Sequence, residues 1–317
     1  MGPKAVGMSQ VPDNFLGLDE KYSDYGAARY AVLPVPYDAT TCYASGTRDG
    51  PRAVITASQQ VEWFDEELED EYFEAGIATR DPVEPDLNSP ERMHQRVFDV
   101  ARHIVKDGKF LIGLGGEHSI TSGLVRAVMT HRRRLSVLQI DAHADLRDSY
   151  QGTAYSHACV MRRVHDLGAT LVPVGIRSCS QAESRFMKRA GITPITAREC
   201  HETDDWIDRA VEGLADNVYI TIDIDGFDPA YAPGTGTPEP GGLGYYQVVD
   251  LLRAVTEAKN VLGADIVEIK PVPGQTVTEF LAARLAYKLI AYTQAGNDLS
   301  GSKGKRSHDA GGTADQQ

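Results

Sequence analysis

The chain has 317 residues, 42% hydrophobic and 24% charged, with a formal net charge of −13, the balance of a globular protein able to bury a substantial core. The acidic balance argues against nucleic acid or an anionic membrane surface as the main partner and favours small cationic ligands. No stretch is apolar over the length a bilayer needs, no basic-then-apolar leader opens the chain, and Cys42, Cys159, Cys179 and Cys200 show no C-x-x-C spacing, so a reducing cytoplasmic setting is expected.

In chain order, residues 1–25 read as largely irregular, and the first strand is Tyr30 to Val35, ended by Pro36. Pro51 suits the first turn of a helix running toward Glu69, with Val54, Ile55, Val61 and Phe64 as core contacts and the acidic run Asp65 to Asp70 in solvent. A second helix starts at Asn88, where Asn88 and Glu91 resemble a capping box; its apolar positions are Met93, Val97, Val100, Ala101, Ile104 and Val105, and Gly108 stops it. Strand and helix then alternate. Strands are expected at Phe110 to Gly113, Leu135 to Ile140, Leu171 to Val174, Ile192 to Ile195, Val218 to Ile222 and Ile266 to Ile269. Helices are expected at Ser119 to His131, after Ala158, and at Gln181 to Ala190, Asp204 to Leu214, Tyr245 to Ala258 and Val277 to Ala295. This rhythm predicts a parallel α/β sheet covered on both faces in one domain over residues 1–296. Residues 297–317 are rich in Gly, Ser, Lys, Asp and Gln and read as a disordered tail.

Three short motifs each follow an apolar run: Gly115-Gly116-Glu117-His118, Asp141-Ala142-His143-Ala144-Asp145, and Asp223-Ile224-Asp225. Alternate residues of a strand share a side, so Asp141, His143 and Asp145 can converge where the chain leaves the sheet. The crevice of an open α/β sheet lies at the carboxyl ends of its strands, where all three motifs fall. Two imidazoles and four carboxylates suit hard or borderline divalent ions, and six ligands exceed what one open catalytic ion requires. Two such ions activate a water for hydrolysis. Separately the motifs are commonplace; together they are specific.

The segments Gly113-Leu114-Gly115-Gly116-Glu117-His118-Ser119, Asp141 to Asp145, and Asp223-Ile224-Asp225-Gly226-Phe227-Asp228-Pro229 resemble the ureohydrolase family of arginases and agmatinases over roughly Tyr30 to Ala295. Gly234-Thr235-Gly236-Thr237-Pro238-Glu239-Pro240-Gly241-Gly242 is similar to the agmatinase branch. The resemblance implies a three-layer α/β/α fold with a central eight-stranded parallel sheet, two Mn2+ ions (with Ni2+ or Co2+ as alternatives), and a homo-trimer or homo-hexamer. It gives His118 to one ion and His143 and Asp225 to the other, with Asp141, Asp145 and Asp223 shared. It assigns Glu268 to binding the substrate guanidinium, His157 to proton transfer, and Asp145 to passing a proton to the leaving amine.

The reaction implied is hydrolysis of a guanidino group to urea and an amine, with agmatine, giving putrescine, as the leading substrate. N1-aminopropylagmatine follows, then guanidinobutyrate, arginine and guanidine. A non-catalytic metal-binding scaffold is the reading from another class. Two positions depart from the agmatinase pattern, Ala158 after His157 and Lys270 two after Glu268. On a continuing strand, residues 268 and 270 would share a side, turning Lys270 into the crevice; alternatively it snorkels to the surface. The loops Thr40 to Gly50 and Leu146 to Ser156 are expected to read the far end of the substrate, with Asp148, Tyr150 and Tyr155 able to meet an amine and Arg147 set against one.

Overall fold

Consecutive residues of a strand face opposite sides of a sheet. In β1 (Tyr30–Val35) both sides are buried: Tyr30 and Val32 join one apolar cluster, and Ala31, Leu33 and Val35 the other. Such burial requires helices on both faces, and the computed structural model, which describes residues 11–132 and 134–306, shows them. The chain passes through α1 (Glu20–Ser23), β1, α2 (Gly50–Ser58), a small hairpin of β2 (Phe64–Asp65) and β3 (Asp70–Glu71), β4 (Ile77–Thr79), α3 (Pro90–Lys106), β5 (Phe110–Gly115) and α4 (Thr121–Met129). It continues through β6 (Ser136–Ile140), α5 (Val160–Asp166), β7 (Thr170–Ile176), α6 (Gln181–Ala190), β8 (Ile195–Thr196), α7 (Ala197–Glu202) and α8 (Trp206–Gly213). The last elements are β9 (Asn217–Asp223), α9 (Tyr245–Ala258), β10 (Asn260–Val267) and α10 (Val277–Arg306).

Eight strands form one parallel sheet in the order β4-β1-β5-β10-β9-β6-β7-β8. The core of α2, α8, α9 and α10 covers one face, and that of α3, α4, α5 and α6 the other. Strands distant in sequence thereby become neighbours: β5, β10, β9 and β6 lie side by side in the middle. In register, Val267 faces Asp223 and Ile140 faces Ile222, so Glu268, Asp223 and Asp141 leave the sheet at nearly the same height. No helix among the described residues is long and apolar enough to cross a membrane.

Several local expectations are corrected. The helix from Pro51 ends at Ser58 rather than near Glu69, where the buried Ser58 hydroxyl donates to Ile55 O and accepts from Leu16 N. Phe64 is 50% exposed and lies outside the core. In the acidic run Glu66, Glu67, Glu69 and Asp70 are exposed as expected, but Asp65 is not: it is buried against Lys288 Nζ at 2.9 Å, and Glu67 meets the same ammonium at 3.0 Å. The cap of α3 is Ser89, whose Oγ accepts from Arg92 N at 3.3 Å; it directly precedes Pro90, whereas Asn88 stands one residue outside and donates to Asp86. Phe15 and Leu18, in the stretch read as irregular, are core residues. Residues 1–10 and 307–317 lie outside the described residues, while α10 continues through residues 297–306, where a disordered tail was expected to begin.

Candidate active site

The four central strands each deliver part of one cluster. After β5, Gly116 lies so close to the Tyr37 backbone that a Cβ would stand 2.0 Å from Tyr37 O; only glycine lets the chain pass into the short turn His118–Ile120, which buries the His118 ring. Asp141 and His143 follow β6. Asp223 ends β9, and Asp225 sits in the turn Ile224–Gly226. Asp145 and Glu268, at the margins of the cluster, hold φ of 51° and 61°. Left-handed backbone in a non-glycine residue costs about 1–3 kcal/mol and concentrates at functional sites.

His118 Nδ1 lies 3.2 Å from Asp141 Oδ2, 3.1 Å from Asp145 Oδ2 and 3.3 Å from Asp223 Oδ2. His143 Nδ1 lies 3.1 Å from Asp225 Oδ2 and 3.8 Å from Asp141 Oδ1. Two groups of side chains are thus placed to hold metal, His118 with Asp141 and Asp145, and Asp141 with His143 and Asp225. Asp141 belongs to both, as a bridging ligand would. Asp223 falls in neither group but reaches His118. Backbone amides orient the carboxylates: His143 N donates to Asp141 Oδ1 at 2.6 Å, Asp225 N to Asp223 Oδ1 at 3.0 Å, and Ala142 N to Asp225 Oδ1 at 3.1 Å.

Hydrogen-bond direction tests whether a metal fits. The Thr221 hydroxyl donates to Asp265 Oδ1 at 2.6 Å, so toward His118 Nε2, at 2.9 Å, its oxygen can only accept. Nε2 therefore carries the proton, and the Nδ1 lone pair faces three carboxylates. That buried Nδ1 has no hydrogen bond, and a lone pair among anionic oxygens demands positive charge, which a metal ion supplies and for which a proton stands in without one. The electrostatics agree. Burial alone would lower His118, but Asp141, Asp145 and Asp223 lift it well above the ordinary imidazole value. Burial likewise opposes charge on His143, yet Asp225 raises it to about 11. Burial and the crowding of Asp225 and Asp141 push Asp223 up, and burial with Asp141 raises Asp145 to about 6. The donor set suits divalent cations bound through imidazole and carboxylate.

His143, Asp145, Asp223 and Asp225 open on a cleft of about 250 Å³, with His118 and Asp141 buried behind them. Glu268, also on its wall, has one oxygen anchored by His118 N at 2.7 Å. β10 ends at Val267 and Glu268 leaves it with positive φ, so strand alternation does not carry over to Lys270. The Lys270 stem instead lies along Gly46, where an added Cβ would stand 3.6 Å from its Cγ, and Lys270 is absent from the cleft lining. His157 lines the cleft in the turn His157–Cys159; burial and the nearby His118 push it down to about 4.

Of the residues expected to meet an amine at the substrate's far end, Tyr150 lines the cleft, beside the opposing Arg147 and with Thr41, Cys42 and Tyr43. Asp148 pairs instead with Arg162 and Arg163, each at 3.5 Å, and Tyr155 packs on His94. Ser178, Cys179, Ser180 and Glu183 complete the wall and were missed. They follow β7, so the rule of strand carboxyl ends extends to them, but they carry no metal-ligand motif. Arg177 was missed as well. Its guanidinium donates to the carbonyls of Asp225 at 2.6 Å, Glu239 at 2.7 Å and Phe227 at 3.2 Å, tying the Asp225 turn to the glycine-rich segment.

The arginase family model matches residues 28–291. An N(1)-aminopropylagmatine ureohydrolase of Synechocystis sp. is 42% identical, covering 89% of this chain and 94% of that protein. An agmatinase of Pyrococcus horikoshii is 35% identical over 84% and 93%. The crystal structure of agmatine ureohydrolase of Thermoplasma volcanium superposes with a TM-score of 0.80 at 33% identity, covering 89% of this chain and 94% of that one.

Proposed function

From the premise that this chain belongs to the arginase family, as a ureohydrolase acting on linear amidines, we propose that it hydrolyses the guanidino group of a cationic alkylamine to urea and the free amine, with N1-aminopropylagmatine ahead of agmatine. The carrying observation is the convergence of His118, Asp141, His143, Asp145, Asp223 and Asp225 in one cluster, whose outer members His143, Asp145, Asp223 and Asp225 share a cleft with Glu268. Agmatine is the substrate the motifs suggest; the 42% identical relative named for the aminopropyl compound supports placing that compound first. Guanidinobutyrate and arginine rank lower, because Arg147 is the single arginine or lysine among the residues of the cleft wall and Glu183 stands there too. A non-catalytic scaffold is disfavoured, since crowding buried carboxylates is costly and serves no structural end.

In this proposal the two groups hold two Mn2+ ions, which when bound supply an activated water and positive charge at the reacting carbon. Glu268 receives the guanidinium. Its Oε1 already accepts from His118 N, which fixes the carboxylate plane, and the remaining lone pairs pair with the substrate's N–H fork. Asp145, beside His118, passes a proton to the departing amine nitrogen. His157 exchanges protons between the cleft and solvent as urea leaves. Self-assembly as a homo-trimer or homo-hexamer and a cytoplasmic setting belong to the same reading; four free cysteines, Cys42 and Cys179 exposed, support the latter.

The test is urea release by metal-depleted protein reloaded with Mn2+, and separately Ni2+ and Co2+, on N1-aminopropylagmatine, agmatine, guanidinobutyrate, arginine and guanidine. The expected result is the highest kcat/KM on the aminopropyl compound. Preference for agmatine would restore the order read from the motifs, and no urea from any guanidine would overturn the proposal.

A further inference from the structure

Glu117, between Gly116 and His118, has no part in the chemistry described so far, yet it is fully buried. Three donors converge on its carboxylate: Thr40 N on Oε2 at 2.6 Å, and the hydroxyls of Thr40, at 2.6 Å, and Ser119 on Oε1. Both oxygens are thereby committed, and Thr40 is clamped through its backbone and its side chain. The Thr40 oxygen then meets His157 twice, accepting from His157 N at 3.0 Å and standing 3.2 Å from the ring Nδ1.

The direction of that last contact follows from the first. A hydroxyl has one proton, and Thr40 gives its proton to Glu117. With Nδ1 unprotonated, two lone pairs would face each other at 3.2 Å; with Nδ1 protonated, Nδ1–H donates to Thr40 Oγ1, and the Ser156 hydroxyl at 3.3 Å, which can donate or accept, fits either state. Nε2 has no hydrogen-bond partner among the described residues. We propose that Thr40, held by Glu117, is a positioning residue that fixes His157 as the Nδ1–H tautomer and presents a bare Nε2 as the atom that takes and gives protons in the cleft. The relay mirrors the one at His118. There a threonine on a buried carboxylate protects Nε2 and frees Nδ1 for metal; here the same pair of groups protects Nδ1 and frees Nε2 for proton transfer. The inference rests on the ureohydrolase reading for its catalytic meaning, but its tautomer assignment does not.

The experiment uses the full chain loaded with Mn2+, with Thr40→Val, Thr40→Ser and His157→Asn, singly and with Thr40→Val combined with His157→Asn. Thr40→Val should lower kcat about ten- to a hundredfold, a share of what a proton-transfer group contributes, with KM changed less than about twofold and metal content unchanged; Thr40→Ser should restore most of the loss. The combined variant should be no slower than His157→Asn alone, because a residue acting through another adds nothing once that other is gone. Long-range 1H–15N spectra of 15N-histidine-labelled protein should show His157 protonated at Nδ1, and Thr40→Val should mix the tautomers. Full kcat in Thr40→Val, additive losses in the combined variant, or an unprotonated Nδ1 in the unsubstituted protein would each overturn the inference. Absence of urea from every guanidine would instead defeat the functional reading, and the tautomer measurement would still decide the relay.

Discussion

Replacing Thr221 by Val keeps the volume and removes one oxygen, the one between His118 and Asp265. His118 Nε2–H, wholly buried, loses its acceptor at 2.9 Å, and Asp265 Oδ1 loses a donor at 2.6 Å. Asp265 still accepts from Tyr219 OH at 2.7 Å and Thr121 Oγ1 at 3.1 Å, so the unsatisfied group is mainly the imidazole N–H. An orphaned buried polar group costs about 1–3 kcal/mol, and here the cost falls on the tautomer that leaves Nδ1 free for metal. The opposite tautomer, protonated at Nδ1, becomes competitive and must be reversed for an ion to bind. Losing the hydrogen-bond partner of a metal-binding histidine typically costs about 10–100-fold in metal affinity, about 1.4–2.8 kcal/mol, the same range reached by a separate route. Titration calorimetry of Mn2+ into metal-depleted protein measures it, with Thr221→Ser as the control that restores the oxygen and circular dichroism confirming the fold. A folded Thr221→Val protein with unchanged Mn2+ affinity would refute the tautomer reasoning.

Asp223→Asn should lose one metal equivalent and nearly all turnover, whereas His157→Asn should lower kcat with both equivalents retained; metal analysis beside urea release separates them, and full turnover in either variant refutes its assigned role. Lys288→Met leaves Asp65 buried without its ion pair and should cost about 3–5 kcal/mol, read as a lower urea midpoint, while Asp65→Leu in the same chain should recover much of it. Burial and Arg126 push His94 down to about 4, below the ordinary 6.5 of an unfolded chain, so the folded state binds fewer protons and stability present above the unfolded value is lost as pH falls toward the folded one. His94→Gln should therefore reduce the drop in stability between neutral pH and about pH 5 by about 2 kcal/mol, measured as the change in unfolding free energy relative to the unsubstituted protein; equal slopes for both proteins would refute it.

Fold class and the candidate metal donors were legible because both are written locally. A buried parallel strand must be apolar on both faces, and a ligand-bearing residue just past it must lie at the crevice, so His118, Asp141, His143, Asp145, Asp223 and Asp225 could be named from spacing alone. The strands β4 and β8 were lost or misplaced because they are three and two residues long, too short for periodicity to register. Glu268 and His157 carry no such local signature; only the family resemblance pointed to them.

What spacing could not supply was everything decided by closure over distance. The order β5-β10-β9-β6 brings residues more than a hundred positions apart to one height, and no local pattern encodes which strand inserts beside which. Asp65 read as a solvated acid because its partner, Lys288, lies 223 residues away. Thr221 with Asp265, and Thr40 with Glu117, are ordinary polar residues in the sequence; they act on His118 and His157 only because folding removes water and leaves each hydroxyl a single proton to give. The sequence determined which atoms could bind metal or carry a proton, since that is a property of side-chain type. The tertiary structure decided which nitrogen of each imidazole does so, since that depends on where the neighbouring hydroxyl has already spent its hydrogen bond.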